Sequence, residues 1–99
     1  MINEAEIVNN VEKSRFQMTF ANGETALVDY RLTPGKISFI HTEVPKDMNG
    51  KGVAARLAKY ALEYARANNL RINIYCAYIA AYVKRDHSYD DLIDHRIEI

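Results

Sequence analysis

Cys76 is the only thiol in this chain, which excludes an internal disulfide and a zinc site built from several cysteines. Net charge is missing too. Thirteen basic side chains balance thirteen acidic ones, leaving no broad field to draw nucleic acid or an anionic membrane, so any recognition of an anion has to be local. No stretch approaches the ~20 apolar residues of a membrane helix. The opening MINEAEIVNN also lacks the basic start and apolar run of a secretory signal. A lone thiol survives best in a reducing compartment, and together these absences lead us to expect a cytoplasmic protein with neither nucleic acid nor membrane among its partners. The histidines at 41, 87 and 95 show no paired ligand spacing, so no metal site is expected.

What is present describes a globule. Apolar residues make up 48% of the chain and charged ones 26%, with no repeat, linker or low-complexity run, so residues 1–99 are expected to form a single domain. The first half has the period of strands. In SRFQMTF, Phe16, Met18 and Phe20 alternate with polar residues; ANGE (21–24) then supplies an Asn-Gly hairpin signal. TALVDYRL places Ala26, Val28, Tyr30 and Leu32 on one face. After the turn TPG, KISFIHTEV follows with Ile37, Phe39 and His41 expected on a common face. From Lys51 to about Asn68 the period becomes helical, through Val53, Leu57, Ala61 and Ala65, and Asn68 and Asn69 can close the helix in a left-handed conformation. RINIYC (71–76) is a buried strand and AYIAAYVKR (77–85) a second helix, while KRDHSYDD (84–91) has the mixed charge of a surface helix end and turn. Strand, helix and strand in succession imply a right-handed crossover that sets 36–44 and 71–76 parallel. Their carboxyl ends then share one edge of the sheet, where ligands of open α/β sheets bind.

Glycine is scarce, and two of the four glycines, Gly50 and Gly52, stand at the start of the strongest helix. They weaken a helix, so bare backbone must serve another purpose there. A helix N-terminus leaves about four amides unpaired at the positive end of the dipole. In NGKGVA the glycines clear the approach, the amides of residues 50 to 55 can point at a phosphate, and Lys51, Arg56 and Lys59 add local charge. A plain glycine turn leading into a helix explains the same residues. Neither a Gly-x-x-x-x-Gly-Lys-Ser/Thr loop nor the third glycine of a dinucleotide fold is present.

TEVPKDMNGKGVAARLAKYALEYA resembles motif A of the GNAT superfamily of acetyl-CoA-dependent N-acetyltransferases, in which a strand leads into an Arg/Gln-x-x-Gly-x-Gly/Ala loop and a helix. HTEVP, GKG, ALEYAR, the cysteine and AAYVKR together are similar to a small single-domain subfamily of the YjdJ/NATD type, over residues 14 to 93. The resemblance implies an α/β fold: a minimal GNAT-like domain with an antiparallel β-meander, a β-α-β crossover to a parallel fourth strand, and a short C-terminal helix. It implies acetyl-CoA (coenzyme A) as cofactor, with the pyrophosphate on the amides of Gly50, Lys51, Gly52, Val53, Ala54, Ala55 and Arg56. Asn49 takes the Arg/Gln position, from which it departs, Gly52 and Ala54 take the small-residue positions, and Glu43 and Val44 face pantetheine through their backbones.

Three side chains are candidates for chemistry. Cys76 ends a parallel strand directly before a helix, a place that favours thiolate and thioester exchange, although a small core residue fits the same pattern. His41, on the adjacent strand, could deprotonate Cys76 or an incoming amine, or fill the edge of the core. Tyr82 resembles the GNAT tyrosine that protonates departing coenzyme A, while also forming a packing pair with Tyr78 one turn away. Glu43 is an alternative base. The expected function is transfer of acetyl from acetyl-CoA to an unknown amine or protein acceptor, through acetyl-Cys76 or by direct attack. The alternatives are a non-catalytic acyl-CoA-binding or sensing module acting through a protein partner, and a small interaction domain without cofactor.

Overall fold

The computed structural model describes residues 6–99 as one six-stranded sheet covered by two helices. In chain order the strands are β1 (Val8–Asn10), β2 (Arg15–Thr19), β3 (Thr25–Thr33), β4 (Lys36–Glu43), β5 (Arg71–Ile74) and β6 (Ile93–Arg96), and the helices are α1 (Val53–Ala67) and α2 (Ala77–Arg85). The strands lie side by side in sequence order. β1 to β4 are antiparallel; β5 runs parallel to β4, and β6 parallel to β5. The α/β class and the parallel fourth strand are therefore as expected, while β1 and β6 add two strands at the sheet edges.

The local chemistry explains the turns. Between β2 and β3, Phe20 N–H donates to the Glu24 carbonyl, Gly23 N–H to the Phe20 carbonyl, and Asn22 Oδ1 accepts from Glu24 N–H. Within this loop only Gly23 has a positive φ, 89°. The loop is thus a three-residue turn closed by a left-handed glycine rather than a two-residue Asn-Gly turn in which both residues are left-handed. Between β3 and β4, Pro34 and Gly35 (φ 74°) form a two-residue turn, since Thr33 pairs with Lys36. After α1 it is Asn69, at φ 55°, that takes the left-handed conformation.

Both helices cover the same face of the sheet, as two successive right-handed crossovers demand. Phe16, Met18, Val28, Ile37, Phe39, Ile72 and Ile74 from the strands are buried against Leu57, Ala61, Leu62 and Ala65 of α1 and Ile79, Ala80 and Val83 of α2. Alanines at the inward positions of α1 let the helix lie close on the sheet. The opposite face is polar and open. There Arg15 pairs with Asp29 at 3.1 Å, Arg71 with Asp94 at 2.6 Å, and the rings of Tyr75 and His95 lie 5.1 Å apart.

Two irregularities shape the end of the sheet that follows β4 and β5. Asp29 pairs with His41 and Tyr30 with Phe39, so Ile40 is an extra residue and β4 is bulged. The bulge reverses the alternation of faces. Thr42, paired with buried Val28, comes to the helix side, and His41, paired with Asp29, goes to the open face. The second irregularity is a divergence: β4 and β5 pair from Lys36–Arg71 to Phe39–Ile74, and the last bond runs from Tyr75 N–H to the Phe39 carbonyl at 2.9 Å. Beyond Phe39, β4 continues beside β3 alone.

Candidate functional site

The divergence opens a cleft of about 470 Å³ lined by Thr42 and Val44 of the β4 end, by Met48 to Gly50, by Gly52 to Ala55 at the start of α1, and by Tyr78 of α2. Its volume is that of an ordinary small-molecule pocket. The connection from β4 begins at Pro45 and makes a single 3-10 turn over Lys46–Met48, from which Asn49 leads into the two glycines. Gly50 and Gly52 both have φ 80°, a left-handed conformation that side chains oppose. A Cβ placed on either would meet no atom within 4 Å, so the room in front of the loop is open and the glycines answer to backbone conformation. Gly52 caps α1 without a side-chain hydrogen bond, and the first helical bond runs from Arg56 N–H back to the Gly52 carbonyl at 3.1 Å. The amides of Val53, Ala54 and Ala55 precede that bond, and these three residues line the cleft. Such a row is a ready anion cradle.

Seven of the expected cofactor residues, Val44, Asn49, Gly50, Gly52, Val53, Ala54 and Ala55, line the cleft. Glu43 does not. It lies on the open side of the strand, beside a smaller groove with Glu24, Thr25 and Lys46. Lys51 and Arg56 are exposed at the rim of the loop and are absent from the lining.

Cys76 is buried, 4% exposed, at the residue that caps α2, and its carbonyl accepts the first bond of that helix from Ala80 N–H. Its Sγ lies 2.9 Å from Thr42 Oγ1. The structure therefore joins β4 to β5 across the divergence through a hydroxyl and a thiol. His41 was expected on the face of Ile37 and Phe39; the bulge turns it to the other face, where its ring stands 3.8 Å from Glu43 and more than half exposed. An alternation counted along β4 cannot register one inserted residue. Tyr82 is not among the residues that line the cleft. Burial, then the nearby Asp86 carboxylate, push its hydroxyl above the ordinary tyrosine range, and the tyrosine that lines the cleft is Tyr78, one turn earlier. Three further residues line the cleft: Thr42, which the sequence places among the polar groups of this edge without a role, Met48 and Tyr78. The bulge and the helix phase that bring them to the cleft are tertiary facts, although Tyr78 was visible as the i−4 partner of Tyr82.

This architecture, a bulged strand diverging from its parallel neighbour with a glycine turn into a helix beside the gap, defines an acetyltransferase-like α/β class. Residues 15–92 match the GCN5-related N-acetyl-transferase family, and the chain belongs to that family. The solution structure of a GCN5-like protein from Staphylococcus aureus superposes with a TM-score of 0.73 at 28% identity, covering 98% of this chain and 94% of that one. Protein NATD1 of Gallus gallus and of Mus musculus is 44% identical over 46 residues, which is 46% of this chain and 42% of either relative. Protein NATD1 of Danio rerio is 37% identical over the same length. The match spans less than half the length of these curated relatives.

Among the described residues no group of three or more His, Cys, Asp or Glu could hold a metal ion, and no helix is long and apolar enough to cross a membrane.

Proposed function

We propose that the protein binds acetyl-CoA in the cleft and transfers the acetyl group to an amine, with the reaction centred where β4 and β5 diverge. The observation that carries this reading is the pair Gly50 and Gly52, held at positive φ with open space before them at the head of α1. The residues fit the cofactor. The amides of Val53, Ala54 and Ala55 and the Asn49 side chain would take the pyrophosphate, and the β4 end from Thr42 to Val44, without β5 beside it, would offer backbone groups to the pantetheine arm. When bound, acetyl-CoA supplies an activated acetyl thioester.

The remaining work falls to side chains. His41 and Glu43, exposed on the open face at the same strand end, can draw in a protonated amine and accept its proton. Tyr78, in the cleft wall, would give a proton to a leaving thiolate, a role the family resemblance implied for Tyr82. Thr42 holds the Cys76 thiol by its hydrogen bond. The protein would do this in the cytoplasm, on an amine of a small molecule or protein.

A second route is transfer through Cys76, whose sulfur sits at the cap of α2 and touches a residue of the cleft wall. Intact mass after incubation with acetyl-CoA decides between them. An acetyl adduct on the wild type, absent from Cys76→Ala, selects the cysteine route; turnover of an amine by Cys76→Ala selects direct attack. Binding without an adduct and without turnover of an amine panel leaves a non-catalytic acyl-CoA module. Absence of acetyl-CoA binding by calorimetry sinks the proposal.

A further inference from the structure

A second concavity, away from the cleft, lies between α2, the 3-10 segment His87–Leu92 and β6. It has a volume of about 360 Å³ and is lined by Val83, Lys84, His87, Asp90, Ile93 and Arg96. Val83 is buried and Ile93 packs on the core, so the floor is apolar and the rim charged. His87 and Asp90 bond to each other, Nδ1 to Oδ2 at 3.0 Å. Among the described residues, neither Lys84 nor Arg96 has a hydrogen bond or ion pair through its side chain.

For Lys84 that is unremarked, because it is exposed and suits the C-terminal end of α2. Arg96 has no such reason. It is partly buried, whereas two other arginines each hold a carboxylate and a carbonyl: Arg66 of α1 bonds Asp91 and the Ser88 carbonyl, and Arg71 of β5 bonds Asp94 and the Asp91 carbonyl. With no acceptor among the described residues the Arg96 guanidinium is left to water, and a ligand that supplies a planar anionic acceptor would exchange that hydration for a charge-assisted pair.

We propose that this groove binds a carboxylate carried on a short apolar stem. Lys84 and Arg96 against Asp90 leave one net positive charge when His87 is neutral, which matches a monoanion better than a phosphate dianion. The planar guanidinium of Arg96 matches a carboxylate bidentately, and Val83 and Ile93 receive the stem. The carboxylate comes either from a free aliphatic acid or from a glutamate side chain of a protein.

The test is a nitrogen-15 NMR titration of the full chain with 4-methylpentanoate, with a terminally blocked five-residue peptide centred on glutamate, and with inorganic phosphate. Saturable shifts of the amides of Val83 to His87 and Ile93 to Arg96, with roughly millimolar affinity and lost in Arg96→Gln and weakened in Lys84→Gln, are expected. Unchanged amide positions elsewhere in the variants show that they fold. A glutamate peptide that binds at least tenfold tighter than the free acid assigns a protein source; equal or weaker binding assigns the free acid. The proposal is overturned by an absence of saturable shifts with both carboxylates, by shifts that persist in Arg96→Gln, or by phosphate binding as tightly as either carboxylate.

Discussion

The two ends of the parallel strands treat their polar groups in opposite ways. At the amino ends of β5 and β6 the donors are closed: Arg66 and Arg71 each grip a carboxylate and a carbonyl, and Tyr89, 2% exposed, donates its hydroxyl to Glu63 of α1. The Arg66 guanidinium also lies over the Tyr89 ring, 5.6 Å from its centre. At the carboxyl ends of β4 and β5 the strands part, a turn holds two glycines in left-handed conformations, and the head of α1 has no side-chain cap. One end fastens the C-terminal segment to α1. The other leaves donors for something outside the chain, and this contrast, more than any single residue, separates a structural end from a binding end.

The largest expected effect breaks the fastened end. Tyr89→Ala removes a buried ring and a hydrogen bond and should cost about 3 kcal/mol by denaturant unfolding. Under conditions where the variant is folded, its affinity for acetyl-CoA should match the wild type. A loss of affinity in step with the loss of stability would mean that the two ends are not independent.

The glycine turn sharpens the comparison next. Gly52→Val forces a branched side chain to φ 80° and should cost roughly 1–2 kcal/mol, together with at least a tenfold loss of acetyl-CoA affinity. Gly35→Val is the control, because Gly35 has φ 74° and equally open space but sits in the β3–β4 turn. It should lose similar stability and no affinity. Equal affinity losses in both would show that Gly52 acts only through folding.

Thr42→Val keeps the shape and removes the hydroxyl that meets Cys76; about 1 kcal/mol of stability should go. Labelling by a thiol reagent should quicken in the variant. An unchanged labelling rate would show that the hydroxyl does not restrain the thiol.

The smallest effects are in pH. Arg66 beside Asp91 and Arg71 beside Asp94 hold those carboxyls below the usual value of 3.8, and the Ser88 hydrogen bonds do the same for Asp86. Depressed carboxyls contribute stability that is complete above that value and lost as pH falls through the lowered ones. Burial, then the bond to Glu63, raise the Tyr89 hydroxyl above its ordinary 10.0, so its contribution is complete below pH 10 and declines as pH rises beyond it. Thermal unfolding should therefore show an acid limb that weakens in Asp94→Asn and an alkaline limb that weakens in Tyr89→Phe. An alkaline limb identical in Tyr89→Phe would remove Tyr89 as its source.

Much of this arrangement was legible along the chain, for reasons that differ by element. The apolar alternation of Phe16 and Met18, of Ala26, Val28 and Tyr30, and of Ile37 and Phe39 reported buried faces directly, because each strand has one dry face. β1 and β6 were not legible. Val8–Asn10 is three residues long and mostly polar, and Ile93–Arg96 carries three polar residues in four, so neither has a period to detect. His41 was misplaced by the bulge at Ile40, and Tyr82 was preferred to Tyr78 because their common stripe does not say which turn meets the cleft.

By itself the sequence determined the α/β class, the parallel crossover and the glycine turn at the head of α1. Each is written in local terms: a period of two, a period of 3.6, and residues that tolerate positive φ. Tertiary structure alone decided that Thr42 rather than His41 meets Cys76, that Tyr78 walls the cleft, and that Arg96 finds no acceptor among the described residues. These depend on where separate elements come to rest, and a single inserted residue in β4 is enough to exchange one face for the other.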